Sequence, residues 1–274
     1  KYFVKASYSR EIYNGIDGTL TANYAHTSPL ENTKDYTFFS KFENKLSPNG
    51  MDLPGLTYAD DNVLFRNTFS LDLKFHFVFG QQYITRPDIK FRVGSPYPEL
   101  LFEYKTAVPI KGFTDMNYHY LEAQLYGTIP LKIIGTLNYR FGGGGFPSHK
   151  QVGYTAYKHF AGNFLTQGGT DMLGFYLIRY YRYSTDLYFA EAHIEHHFGG
   201  FLFNKIPGVR TLKLDEIVGF HFLYTPTRQQ YFQVNAGIGN ILKIFRVDFV
   251  AGFGSQQGEH YLGARMAMAL NIFR

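Results

Sequence analysis

Apolar and polar residues alternate with a period of two along most of this chain. In the last stretch, Leu262, Ala264, Met266, Met268, Leu270 and Ile272 fall on one side, while Gly263, Arg265, Ala267 and Asn271 fall on the other. Period two is the pattern of a strand whose two faces meet unlike surroundings, and a run of about ten residues is the length of a tilted membrane-crossing strand. Phe65, Phe69, Leu71, Leu73, Phe75, Phe77 and Phe79 oppose Arg66, Asp72, Lys74 and His76 in the same way. Phe245, Val247, Phe249, Ala251 and Phe253 oppose Arg246 and Asp248, and Tyr2, Val4, Ala6 and Tyr8 form an outward row near the start. A charge facing lipid costs about 2–4 kcal/mol at mid-membrane, so this segregation assigns the uncharged face to lipid.

Strands are expected near residues 1–12, 18–28, 63–80, 98–108, 115–129, 132–142, 171–184, 187–198, 216–225, 229–238, 243–254 and 260–273. These make about twelve, an even number, as a bacterial barrel with both ends on one side requires. The predicted fold is all-β: a transmembrane antiparallel outer-membrane β-barrel, with residues 1–274 as one domain. The 171–184 segment is untidy, since Arg179 shares parity with Leu173, Phe175 and Leu177, and a bulge or an early strand end is needed there.

The connections 29–62, 81–97, 143–170 and 199–215 are long, whereas Ile129–Lys132 and Gly239–Leu242 read as tight turns. With a periplasmic C-terminus, counting back puts both 143–170 and 199–215 on the periplasmic side, opposite to the usual short periplasmic turns. Gly142–Gly145 lacks the G-x-x-x-x-G-K-[ST] pattern of a phosphate loop and follows no parallel βα unit, so it reads as a flexible strand exit.

Composition agrees from another direction: 19% of residues are aromatic, with 23 Tyr and 28 Phe, and Tyr at strand ends suits interfacial girdles. No apolar run approaches ~18 residues, which excludes a helical membrane protein although 45% of residues are hydrophobic. The chain has no cysteine, which fits an outer-membrane location without requiring it. Its net charge of +5 is spread singly along the chain and forms no stripe, so nucleic acid is not an expected partner. No signal peptide is visible and Lys1 already stands in a strand-like run, so the sequence is expected to begin partway through a longer protein.

The most chemically loaded strand runs from Tyr188 to Phe198. Its parity sends Glu191, His193, Glu195 and His197 inward in one file, with neighbours roughly 6.5–7 Å apart. Such a file can converge on a divalent metal or form acid–imidazole hydrogen bonds, and His221 is a further candidate. The simpler account is a polar lumen in which these groups pair across strands with Arg265, Arg246, Lys132 or Arg140, with Asp248 in the same cluster. His196 has outward parity and reads as an interface residue. Neither Ser184 nor Ser255 has a nucleophile-elbow context, so no catalytic residue is assigned and the chain is not expected to be an enzyme or to carry a cofactor.

These residues also carry a family resemblance. Glu191-Ala-His-Ile-Glu-His-His-Phe-Gly-Gly-Phe-Leu-Phe-Asn-Lys-Ile-Pro207, Phe245-Arg-Val-Asp-Phe-Val250, Ile133-Ile-Gly-Thr-Leu-Asn-Tyr139 and Tyr157-Lys-His-Phe160 resemble the C-terminal barrel of a Bacteroidota outer-membrane family. In that family a carboxypeptidase-regulatory-like domain precedes a barrel of unassigned function. The likeness runs from about Tyr8 to the end and is most specific between the Glu-His-His-Phe and Asn-Lys-Ile-Pro motifs. It implies a longer parent protein with about four earlier strands, giving a barrel of about sixteen, the size of the Omp-type assembly and translocation barrels to which the family is distantly similar.

The resulting expectation is a bacterial outer-membrane barrel acting in envelope assembly, export or transport. Its partners would be outer-membrane lipids and periplasmic or outer-membrane proteins, met in part by the connection holding Asn204, Lys205, Ile206 and Pro207. An outer-membrane enzyme or a metal site in the lumen is the alternative, and a passive porin a third reading.

Overall fold

The computed structural model describes residues 2–27, 66–111, 113–114, 116–162, 166–168, 174–178, 181–256 and 258–268. They form fourteen strands: β1 (Tyr2–Tyr13), β2 (Ile16–Thr27), β3 (Arg66–Val78), β4 (Gln82–Thr85), β5 (Lys90–Gly94), β6 (Glu99–Ala107), β7 (Asn117–Pro130), β8 (Thr136–Gln151), β9 (Thr166–Gly168), β10 (Tyr188–His197), β11 (Asp215–Thr225), β12 (Gln229–Ile241), β13 (Phe245–Gly254) and β14 (His260–Met268). Twelve make one sheet in the order β1-β2-β3-β6-β7-β8-β10-β11-β12-β13-β14-β9, and β4 pairs β5 in a separate hairpin. Every pairing is antiparallel except that of β9, which lies parallel to Met266–Met268 at the edge of β14. Phe65, Leu270, Asn271 and Ile272 lie outside the described residues.

The chain is therefore all-β and antiparallel, as the alternation predicted. Among the described residues the sheet does not close into a barrel, because β1 is paired on one side by β2 and its other edge is not joined to β14 or β9.

Two local expectations are corrected. The segment 171–184 is not a strand where it is described: Gly174–Ile178 and Tyr181–Ser184 are irregular and buried to half-buried apart from Tyr181. The clash of parities in the sequence was the sign of this, since a stretch in which successive residues such as Phe175, Tyr176 and Ile178 are all buried has no reason to alternate. Second, Gly142–Gly145 lies inside β8, between β7 and β10, and is not a strand exit. A Cβ on Gly144 would press on the backbone of Leu121 and Glu122, so the glycine permits a close approach within the sheet. With 171–184 removed from the strand count, the connections 152–187 and 198–214 leave the sheet at opposite ends, not on the same side.

The two faces of the sheet differ in polarity in an unusual sense. One presents exposed apolar side chains, with Leu262 88%, Phe249 71%, Met266 53% and Val218 50% exposed. The other buries Arg246, Asp248, Arg265, Glu195, His193 and His221, each at 1% exposure or less. On that same face an aromatic core joins Tyr118, Tyr120, Phe146, Phe189, Leu223 and Tyr231 to Phe160, Phe175, Ile178 and Tyr183 of the 152–187 connection. No helix of the described residues is long and apolar enough to cross a membrane, which says nothing of crossing by strands.

Candidate functional site: a buried charge network under an inserted connection

Antiparallel register brings the inward file of β10 beside its neighbours. His193 stands opposite His221, and their Nδ1 atoms lie 2.8 Å apart. His221 Nε2 donates to Asn235 Oδ1 at 3.0 Å, and Asn235 Nδ2 donates to Asp248 Oδ1 at 3.2 Å. Asp248 pairs in register with Arg265, whose guanidinium lies 3.7 Å from its carboxylate.

Arg246 is the hub. Its Nη1 and Nη2 donate to the two oxygens of Glu195 at 2.8 and 2.7 Å, a bidentate fork. Its Nε donates to both oxygens of Asp248 at 3.0 and 2.8 Å, and Nη2 donates to Asp248 Oδ1 at 2.8 Å. Arg246 is on β13 and Glu195 on β10, three strand steps or about 14 Å apart in a flat sheet. Side chains rising from a flat sheet would not meet over that span, so this face is concave. Gly219 of β11 and Gly237 of β12 underlie the crossing: a Cβ at the first would strike the Asn235 carboxamide, and one at the second the Asp248 carboxylate.

Of the residues that parity placed in this cluster, Glu195, Arg246, Asp248 and Arg265 form one connected unit, and His193 with His221 adjoins it. His197 extends it, with Nε2 donating to Glu195 Oε1 and Nδ1 to Asp215 Oδ2, both at 2.7 Å. Glu191 stands at the margin, 3.9 Å from His193. Lys132 is not among them: it occupies an exposed turn between β7 and β8 at φ 56°, and its strand parity could not be extended past the strand end. Arg140 lies 5.5 Å from the Tyr126 ring and has no ion pair with the cluster among the described residues. His196 faces outward, and its Nε2 donates to Ile134 O at 2.8 Å. Asn204 and Lys205 belong to a short 3₁₀ turn, Phe203–Lys205, followed by Ile206 and Pro207, all within the 198–214 connection.

Glu195, Asp248 and Asp215 already receive guanidinium or imidazole donors. Among the described residues no group of three or more His, Asp or Glu is arranged to hold a metal ion.

The unforeseen part of the site is its cover. The backbone N–H groups of Tyr176 and Leu177 donate to Gln233 Oε1 at 2.9 and 3.2 Å, fixing the connection to β12. Phe175 packs 4.9 Å from the His193 ring, and the Arg265 guanidinium lies 4.0 Å over the Tyr176 ring, a cation–π contact. Arg182 Nε and Tyr183 Oη each donate to Glu259 at 2.7 Å, tying the connection to the turn before β14. Lys158 Nζ reaches Glu122 of β7 at 2.6 Å. His159 Nε2 donates to Tyr154 O at 3.0 Å, so its Nδ1 accepts from Ser184 Oγ at 2.8 Å. Burial holds the His159 ring below its ordinary pKa, and its orienting partner is a carbonyl, not a carboxylate. This Ser–His contact therefore lacks the third member of a hydrolytic triad and serves as a staple within the connection. Inward parity of Gln233 and Asn235 was the one signal in the sequence that β12 contributes polar groups; nothing in it marked what they bind.

No curated protein matches the chain. A family model does, over residues 1–238, described as the C-terminal domain of a family of unknown function, DUF5686. By that match, which spans most of its length, the chain belongs to the DUF5686 C-terminal domain family.

Proposed function

We propose that this domain is an outer-membrane β-barrel unit acting in envelope assembly, export or transport. The observation that carries the reading is the inverted polarity of the sheet: Arg246, Asp248, Arg265 and Glu195 are buried on the concave face while Leu262, Phe249 and Met266 are exposed on the other. Water would favour the opposite arrangement, and hydrocarbon favours this one. In a bilayer the free edge of β1 must be paired, which in this reading is the work of further strands closing the barrel.

The inserted connection favours a working barrel over an open pore. Phe175, Tyr176 and Tyr183 fill space that a passive porin leaves to water, and they do so through a few polar contacts that can be broken and remade. The resemblance to Bacteroidota outer-membrane proteins, and distantly to Omp-type assembly barrels, points the same way by analogy. With the end of β14 at the periplasmic side, the 198–214 connection with Asn204, Lys205, Ile206 and Pro207 faces periplasmic partners, and 152–187 enters from outside.

Quantitative proteomics of the outer membrane after depletion of the parent protein in its native host tests this. Loss of many unrelated barrels or surface lipoproteins is the expected result. An unchanged envelope would reject a role in assembly or export.

A further inference from the structure

Three connections leave the same end of the sheet side by side: 131–135 between β7 and β8, 198–214 between β10 and β11, and 242–244 between β12 and β13. The first is held to the end of β10, which leads into the second, by His196 Nε2 donating to Ile134 O at 2.8 Å, and the second to the end of β12, which leads into the third, by Asn240 Nδ2 donating to Lys213 O at 2.6 Å. Each contains a lysine beside an exposed aliphatic residue: Lys132 with Ile133 (83% exposed), Lys213 with Leu212 (59%) and Lys243 with Leu242 (79%). The three connections contain no Asp or Glu. Carboxylates at their border are already engaged, Asp215 by His197 and the Gly199 N–H, and Glu216 by the Leu202 and Phe203 N–H groups. None of the three ammonium groups has a hydrogen-bond or ion-pair partner among the described residues.

The backbone supplies a second, independent observation. All three lysines are left-handed, at φ 56°, 49° and 68°, and Leu242 is at φ 50°. Glycine is the residue that adopts this conformation without strain, yet the chain keeps a long cationic side chain at each position. Strain retained for a solvent-directed side chain points to a use for that side chain.

We infer that these three lysine–aliphatic turns form a docking rim for anionic phospholipid headgroups, the ammonium groups meeting phosphates while Ile133, Leu212 and Leu242 enter the headgroup–acyl boundary. Paired aliphatic insertion selects a bilayer surface over a soluble acidic partner, which would satisfy the lysines but leave the aliphatic tips in water. Consecutive turns stand about 10 Å apart, two strand spacings, so each can engage a separate lipid. The inference rests on the membrane reading above and adds the residues and the lipid chemistry that hold this end in place.

The absence of cysteine allows unique labelling. Ile133→Cys, Leu212→Cys and Leu242→Cys variants of the full chain carry an environment-sensitive fluorophore and are reconstituted in phosphatidylcholine vesicles with increasing phosphatidylglycerol and a nitroxide-headgroup lipid. Leu262→Cys, on the outer face, reports insertion itself. Quenching at 133, 212 and 242 should rise with phosphatidylglycerol, and each Lys→Gln change should raise the phosphatidylglycerol needed for half-maximal quenching about fivefold. K132Q/K213Q/K243Q should lose the dependence with the 262 signal unchanged. A lipid-buried 262 label with water-exposed rim labels in every mixture, or a triple variant that keeps the lipid dependence, overturns the inference and leaves the membrane reading standing. A water-exposed label at 262 overturns both.

Discussion

Replacing Arg246 with methionine keeps most of the side-chain volume and deletes five hydrogen bonds at 2.7–3.0 Å. Two carboxylates, with side chains 1% and 0% exposed, lose their main counter-charge. Glu195 keeps His197 at 2.7 Å, and Asp248 keeps Asn235 at 3.2 Å and Arg265 at 3.7 Å, so neither is stripped bare. Breaking one member of a buried network costs about 3–5 kcal/mol, because the remaining charges stay desolvated. By contrast, an exposed pair such as Lys74–Glu103, with the lysine side chain 41% exposed, falls in the range of about 0.2–1 kcal/mol. Reversible urea unfolding in detergent or lipid, followed by tyrosine fluorescence since the chain has no tryptophan, measures the difference. The control is R246M/E195Q, which removes one buried carboxylate together with the guanidinium while Asp248 keeps Arg265 and His197 keeps Asp215, and it should recover most of the loss. A loss below about 1 kcal/mol for R246M, or a double variant no more stable than R246M, would refute the claim that uncompensated charge sets the cost.

Phe249→Arg places a charge mid-strand on the exposed face and should cost about 2–4 kcal/mol in lipid vesicles; a change within about 0.5 kcal/mol would mean that this face meets water. Gln233→Leu removes the acceptor for the Tyr176 and Leu177 N–H groups, and hydrogen exchange across 174–178 should accelerate by on the order of tenfold or more, with the strands unaffected. His159, held neutral by burial, binds its proton more weakly while its connection is docked than when it is released. Docking of the stretch around His159 should therefore be fully present above about pH 6.5 and weaken as pH falls below it, with His159→Gln flattening the dependence in hydrogen exchange run from pH 7.5 to 5.

Period-two alternation carried most of the strands because a sheet with one apolar and one polar face must place its residues that way. β3, β11, β13 and β14 fall within a few residues of the spans read from parity alone. The same parity put Glu195, Arg246, Asp248 and Arg265 on one face, since any strand pairing that keeps the apolar face continuous does so. Where that period broke, around Arg179, sequence alone could record only an irregular strand, because a segment packed on the concave face is buried without alternating.

What tertiary structure decided was distance and register. That Arg246 reaches Glu195 across β11 and β12 depends on sheet curvature and on Gly219 and Gly237, neither of which a single strand encodes. That Lys132, Lys213 and Lys243 share one rim depends on which connections emerge at the same end, and this follows only once 174–178 and 181–184 are seen not to form a strand. Alternation along a strand is a local property, settled by neighbours two residues apart; adjacency between strands is set by the pairing of backbones far apart in the chain.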